Sequence, residues 1–137
     1  MSKYFTLPEL LHSDVAIRNK IENLPSFEQV ENLNLLANTI LDKIREKYGS
    51  PIRVTSGFRN LAVNAFVKGA KNSQHCVGKA ADLQPYRGTV KDLFNCIEGM
   101  VKRGELEVGQ LIDEYNYSWV HVSLPDYNHH NQILHLR

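Results

Sequence analysis

Apolar residues recur at helical spacing in two long segments of the 137-residue chain. In the first, Ser26 and Gln29 form a capping-box pattern, apolar positions follow every three or four residues, and Gly49 marks the end. In the second, Thr89 and Asp92 have the capping spacing ahead of another such run. Each segment is therefore predicted to be a long amphipathic helix.

Short apolar or alternating runs predict five strands, at residues 51–55, 80–84, 108–112, 118–124 and 133–136. Brief helices are predicted over residues 6–11 and 61–67, and a loop over residues 68–75. The order of helices, strands, helix and strands predicts an α+β fold with a small, mostly antiparallel sheet and helices packed on one face. We expect residues 1–137 to form a single domain, because this length suits one hydrophobic core.

Composition and charge narrow the class of protein. A chain with 42% hydrophobic and 23% charged residues is typical of a globular protein. Its net charge of +1 gives little attraction for phosphates, so we expect no nucleic-acid partner. The first residues lack the apolar run of a signal peptide, and no segment approaches the roughly 20 apolar residues of a membrane helix. The expectation is a monomer that is made in the cytoplasm and does not insert into a membrane.

Strand alternation predicts that a histidine and a carboxylate share one sheet face. In "SWVHVSL" the valines fit the core, so His121 faces away from it, and the same alternation in "AADLQ" turns Asp82 away from the core. If the two strands pair, His75 in the preceding loop reaches the same point, and Gly78 allows a tight turn in between. Two imidazoles and a carboxylate suit Zn²⁺ with a fourth position left for water. Spacing alone also fits a polar loop that enters a strand.

Two motifs give a more specific indication. The pattern S-x-H-x-x-G-x-A-x-D, which begins at Ser73, and W-x-H, which begins at Trp119, resemble those of the zinc-dependent peptidoglycan peptidases of the D-alanyl-D-alanine carboxypeptidase (M15) family. The segments "VTSGFRN" and "GQLIDE" are similar to those of its short carboxypeptidase-like branch, which includes phage endolysins. The resemblance covers most of the chain. It implies that His75, Asp82 and His121 bind zinc, and we expect this site in a cleft on the sheet face opposite the helices.

The resemblance also implies roles for two residues near the ligands. Arg59 in "SGFR" would hold a substrate carbonyl or carboxylate oxygen, a task that suits the planar donor fork of a guanidinium group. The alternative for Arg59 is a surface or loop-bridging arginine. Ser73 would contact substrate or hydrogen-bond near the zinc, or it would simply cap the loop.

The general base is less clear from the sequence. Many relatives carry Glu or Asp three residues before the final histidine, whereas this chain has Ser118. The nearest acids are Asp113 and Glu114, and strand alternation places them on opposite faces. The hairpin turn can bring Glu114 across from the strand of His121, and the pattern Q-L-I-x-E resembles that of the short branch, which implies Glu114 as the catalytic base. The alternative is a solvated acid at a hairpin tip.

The resemblance to this family implies that the protein is a zinc-dependent peptidase that hydrolyses peptidoglycan stem peptides. It would be of the D-Ala-D-Ala carboxypeptidase type or of the L-Ala-D-Glu endopeptidase type. Zn²⁺ is the cofactor and a peptidoglycan peptide is the partner. A phage or prophage endolysin, which reaches the cell wall through a separate pore, fits a chain without a signal peptide. The alternatives are a catalytically inactive zinc-binding module for cell-wall recognition or structure, and an interaction domain without metal. The C-terminal segment adds His129, His130 and His135, of which the neighbours His129 and His130 are either a weak metal-binding pair or exposed loop residues.

Overall fold

The computed structural model describes residues 2–70 and 73–136. Residues 71 and 72, within the predicted loop, lie outside the described residues. The helices are α1 (Leu7–Leu11), α2 (Asp14–Arg18), α3 (Phe27–Leu36), α4 (Asp42–Tyr48), α5 (Leu61–Phe66) and α6 (Val90–Lys102). A π-helical turn (Ala37–Leu41) joins α3 to α4, and a 3₁₀ turn covers Gln74–Val77. The strands are β1 (Ile52–Ser56), β2 (Ala80–Pro85), β3 (Gln110–Glu114), β4 (Trp119–Ser123) and β5 (Gln132–Leu136).

Side-chain caps begin the two long helical segments where the sequence predicts them. The Ser26 hydroxyl accepts the Gln29 backbone N–H while the Gln29 side chain accepts that of Ser26, and Thr89 and Asp92 repeat the arrangement. Gly49 ends the first segment with φ 78°, a conformation that glycine adopts without strain. None of the helices in the described part of the chain combines the length and apolarity needed to cross a lipid bilayer.

Four local features differ from the predicted elements, one of which is that β3 covers Gln110–Glu114 rather than residues 108–112. The first long helix contains the wider π-helical turn, which the apolar spacing does not reveal. Helix α2, which Ser13 caps, has only five residues and so shows no helical repeat in sequence. The segment around His75 is a 3₁₀ turn rather than an irregular loop.

The five strands form one sheet in the order β1-β2-β4-β3-β5. The pairs β1–β2, β2–β4 and β3–β4 are antiparallel, and β3–β5 is parallel. This mostly antiparallel sheet, with helices before and between its strands, confirms the predicted α+β fold.

Alternation along the central strands separates a core face from an open face. Leu83, Val120 and Val122 are fully buried and belong to one apolar cluster with residues of α3, α4 and α6. Asp82 and His121 alternate with these residues and are direct partners across the β2–β4 pair. The long helices therefore cover one face and leave the other for polar side chains, as predicted.

Strand β3 directs Asp113 toward the core and Glu114 toward the open face. Asp113 is fully buried; its Oδ1 accepts the Tyr117 backbone N–H at 2.5 Å, and its Oδ2 lies 3.1 Å from His135 Nδ1 on β5. The turn residues 115–117 all have φ between 49° and 63°, which is unusual for side chains other than glycine. Asp113 thus holds both this left-handed turn and strand β5 in place.

Candidate metal centre

Three buried side chains converge on the open face of the sheet. His75 Nε2 lies 3.3 Å from His121 Nδ1 and 3.3 Å from Asp82 Oδ1, and His121 Nδ1 lies 3.1 Å from the same oxygen. A tetrahedral zinc ion with nitrogen and oxygen ligands at about 2.0–2.2 Å separates its ligand atoms by roughly 3.3–3.6 Å. The three atoms therefore fit one such ion. Among the described residues, this is the one group of three or more His, Cys, Asp or Glu side chains with metal-binding geometry.

The 3₁₀ turn positions His75. Ser73 caps the turn by accepting the His75 backbone N–H on its hydroxyl oxygen at 3.2 Å. Gly78 ends the turn with φ 77°, and a Cβ at this position would lie 2.6 Å from the Gln29 carbonyl oxygen of α3. Both its conformation and its packing therefore require glycine.

A backbone carbonyl orients the His75 ring. His75 Nδ1 lies 2.8 Å from the Gly57 carbonyl oxygen, which can only accept, so Nδ1 carries a proton and Nε2 faces the cluster as the atom that would bind a metal. Gly57 packs so closely on α1 that a Cβ would lie 2.1 Å from the Leu10 carbonyl oxygen. The Leu10 carbonyl oxygen also accepts the Phe58 backbone N–H at 2.8 Å. Helix α1 therefore fixes the position of the Gly57 carbonyl that orients His75.

The Asp82 carboxylate supplies the negative charge of the cluster. Burial by itself raises the pKa of Asp82, but the charge and hydrogen bonding of His75 and His121 outweigh it and hold this pKa well below its usual range. Asp82 is therefore ionised at neutral pH. One carboxylate and two imidazole nitrogens form a donor set that suits a divalent cation.

Glu114 lies at the edge of this cluster. Its Oε2 accepts the Trp119 Nε1–H at 3.0 Å and lies 3.8 Å from His121 Nδ1. Its side chain is 23% exposed and lines the cleft, so a ligand in the cleft can reach it. Asp113 points to the opposite side of β3, and the Ser118 hydroxyl donates to a carbonyl within its own turn. Among these three residues, the structure brings only Glu114 to the cluster.

Arg59 and Ser73 lie together on the cleft wall. Arg59 Nη2 donates to Ser73 Oγ at 3.2 Å, and the Arg59 backbone N–H donates to the His75 carbonyl at 3.1 Å. The Nε atom of Arg59 is buried and has no hydrogen-bond partner among the described residues. Ser73 therefore both caps the 3₁₀ turn and holds Arg59 beside the cluster.

A cleft of about 590 Å³ opens over the cluster, with Arg59 and Glu114 in its walls. A smaller cleft of about 330 Å³ shares Arg59, Asp82 and Trp119 with it and extends along β1 and α2. The three candidate ligands are thus buried within the protein but accessible from one side.

The three C-terminal histidines lie apart from one another. His129, His130 and His135 approach three different acids, which are Asp126, Glu107 and Asp113, respectively. They therefore do not form a common metal site. His129 nevertheless lines the cleft, which the sequence analysis does not predict.

Two other contacts to the site are not evident in the sequence. The tryptophan of the W-x-H motif, Trp119, orients Glu114, although the motif itself shows only that the residue precedes a ligand. The Gly57 carbonyl orients His75 across 18 residues of chain, and its only sequence signal is the glycine in "SGFR".

The part of the chain that carries the cluster also matches a known protein family. A family model described as Peptidase M15 matches residues 3–123, which include all the candidate ligands together with Arg59 and Glu114. No curated protein gives a significant match to the chain.

We predict that His75→Ala, Asp82→Ala and His121→Ala each remove the bound metal. Loss of a residue that only hydrogen-bonds to a metal ligand costs about 10–100-fold in metal affinity, so loss of a ligand itself should cost more. Metal content after dialysis, measured by inductively coupled plasma mass spectrometry, tests this expectation. His130→Ala, which alters an exposed histidine away from the cluster, should keep the wild-type content.

The folded state should survive removal of the metal. A chelator should lower the thermal unfolding midpoint less than in a structural zinc site, because the apolar core does not depend on the ion. Stoichiometric zinc in the double variant His75→Ala/His121→Ala would refute the ligand set.

Proposed function

Since the chain belongs to the peptidase M15 family of metallopeptidases, we propose that it is a zinc-dependent peptidase that hydrolyses peptidoglycan stem peptides. The hydrolysed bond would be D-Ala-D-Ala, as in a carboxypeptidase, or L-Ala-D-Glu, as in an endopeptidase. The observation that carries the proposal is the buried triangle of His75, Asp82 and His121 with Glu114 beside it in an open cleft. Structural zinc sites are closed by four protein ligands, whereas three ligands beside an opening are typical of catalytic sites.

The donor set supports zinc as the metal, because imidazole nitrogen and carboxylate oxygen are ligands that catalytic zinc sites use. When bound, the ion would supply Lewis-acid chemistry, which polarises a carbonyl group and makes water a better nucleophile at neutral pH. His75 and His121 would hold it through Nε2 and Nδ1, and Asp82 through its carboxylate.

Glu114 would serve as the general base. It would take a proton from the attacking water and pass it to the leaving amine. The hydrogen bond from Trp119 supports this role, because it fixes the carboxylate at the edge of the ligand cluster. The partial exposure of Glu114 supports it as well, since a base must reach the substrate.

Arg59 would bind a substrate carbonyl or carboxylate oxygen and stabilise the negative charge that develops during attack. Ser73 holds one guanidinium nitrogen at 3.2 Å, and the buried Nε–H has no acceptor among the described residues. Since Nε is buried and Ser73 takes one N–H of Nη2, the donors left for a substrate are the other N–H groups of the guanidinium fork. Ser73 would act with it in substrate binding.

The proposed substrate implies action at the cell wall. We propose a phage or prophage endolysin that reaches peptidoglycan through a separate pore and works as a monomer. Its partner would be the peptide, without nucleic-acid binding or membrane insertion, and the net charge of +1 is consistent with weak attraction to phosphate. A zinc-binding recognition module without catalysis is a second candidate, which Ser118 in the usual position of the acid favours.

Digestion of purified peptidoglycan with the zinc-loaded protein, followed by mass spectrometry, tests the proposal. New amino termini at D-Glu would indicate the endopeptidase, and loss of a terminal D-Ala would indicate the carboxypeptidase. Unchanged fragments with stoichiometric zinc would reject catalysis. Co-sedimentation of the protein with intact peptidoglycan would then support the recognition module.

Glu114→Gln should abolish most activity while the fold and the zinc remain. The amide has nearly the same size and shape but cannot accept the proton, and general-base catalysis contributes about 10²–10⁴-fold. Turnover of peptidoglycan and zinc content should be measured on the same preparation.

Asp113→Asn is the matched control for Glu114→Gln. Its side chain lies on the core side of β3, so turnover should fall far less than in Glu114→Gln at a temperature where both variants are folded. A fully active Glu114→Gln, or an inactive Asp113→Asn that retains zinc, would assign the base elsewhere.

Arg59→Lys should lower turnover with zinc retained, because lysine keeps the charge but loses the planar fork. Arg59→Ala should lower it further, by about 10²–10³-fold if the guanidinium group stabilises the developing charge. Arg53→Lys alters a half-exposed arginine of β1 and should have no effect. Wild-type rates in both Arg59 variants would show that this residue takes no part in catalysis.

A further inference from the structure

The C-terminal segment, which we define as residues 125–136, helps to build the cleft although the family match ends at residue 123. His129 lines the same cleft as the candidate ligands and Glu114. Strand β5 extends the sheet beside β3. Part of the cleft wall therefore comes from outside the matched region.

Asp126 organises the loop that precedes β5. Its Oδ1 accepts the backbone N–H groups of Asn128 and His129 at 2.8 Å, and both of its carboxylate oxygens lie 3.1–3.3 Å from His129 Nδ1. Its Oδ2 also accepts a hydrogen bond from Gln74 Nε2 at 3.0 Å, and Gln74 directly precedes the ligand His75. Asp126 therefore connects the loop to the 3₁₀ turn and favours the proton on Nδ1 of His129, which leaves Nε2 for another partner.

The other end of the loop is attached to β3 and the residues before it. The Asn131 side chain accepts the Val108 backbone N–H at 2.9 Å, and the Asn131 backbone N–H donates to the Val108 carbonyl at 2.6 Å. Gln132 Oε1 accepts from Gln110 Nε2 at 2.9 Å, and Gln110 lines the cleft. Because both ends are held, the loop is preorganised and a ligand need not order it.

The strand order decides which side of the metal centre this wall occupies. The ligands Asp82 and His121 lie on the central strands β2 and β4. The smaller cleft, which Arg59 also lines, extends toward β1, whereas Gln110 is on β3 and His129 precedes β5. A peptide that lies across the sheet would therefore meet the C-terminal segment on the side of the cluster away from β1.

We propose that the C-terminal segment forms a substrate subsite on the β3 side of the metal centre, where His129 hydrogen-bonds an amide group of the bound peptide. An imidazole held by Asp126 and the Gln110 side chain held by Gln132 both match the hydrogen-bonding groups of a peptide backbone. This inference rests on the proposed peptidase function and adds a specificity-determining residue to it.

Peptide binding to a catalytically disabled protein tests the subsite. Zinc-loaded Glu114→Gln is titrated with a synthetic stem pentapeptide that contains both candidate bonds, and the Kd is measured by isothermal titration calorimetry. Adding His129→Ala should raise the Kd roughly two- to twelve-fold, the range expected for one lost hydrogen bond. Adding His129→Gln, which keeps hydrogen-bonding groups, should raise it less.

His130→Ala in the same background is the matched control. It alters the neighbouring histidine, whose side chain is 62% exposed and approaches Glu107, so the Kd should not change. Zinc content and circular dichroism should be equal across the set. A Kd within twofold of the parent in both His129 variants would overturn the subsite while the peptidase function stands. If the parent does not bind the pentapeptide and the wild type leaves peptidoglycan intact, the peptidase function fails, and the subsite with it.

Discussion

Burial of the Asp82 carboxylate between two imidazoles is the constraint on which the rest of the structure depends. A charge removed from water is costly unless opposite charge or hydrogen bonds compensate it, and here His75 and His121 lie within 3.3 Å of the carboxylate. The compensation requires Asp82 to stay directly opposite His121 in the β2–β4 pair. A slip of one residue would turn either side chain into the core. The apolar residues on the other face, which fix the register, are therefore as necessary to the site as the ligands themselves.

The third ligand depends on helices rather than on the sheet. His75 is oriented by the Gly57 carbonyl, which α1 holds through Leu10, and the 3₁₀ turn that carries it packs through Gly78 onto α3. At both glycines a Cβ would overlap a backbone oxygen. Close backbone packing therefore positions an imidazole without the support of strand pairing.

Strand β3 shows how alternation gives two neighbouring acids different roles. Asp113 faces the core, where it holds the left-handed turn and contacts β5. Glu114 faces the cleft, where Trp119 orients it next to the ligands. The unfavourable backbone conformation of residues 115–117 is maintained beside the candidate base, as is common for strained turns at functional sites.

The sequence by itself determined the features that depend on neighbouring residues. Capping pairs at Ser26 and Thr89 and the apolar periods after them define the long helices, and period-two alternation places Asp82 and His121 on the open face. The same alternation separates Glu114 from Asp113. The motifs around the ligands were sufficient to indicate the family that the family model then matched.

Only the tertiary structure decided which of these elements meet. The strand order, the Gly57 carbonyl behind His75, the Trp119 bond to Glu114 and the approach of Asp126 to Gln74 across 52 residues follow from packing between distant segments. Helix α2 and the 3₁₀ turn are too short to produce a period, so sequence patterns do not reveal them. The local sequence pattern determines which face of a helix or strand a side chain occupies. The residues that this side chain contacts depend on how distant segments pack around the common core. For that reason the place of His129 in the cleft wall was not visible in the sequence.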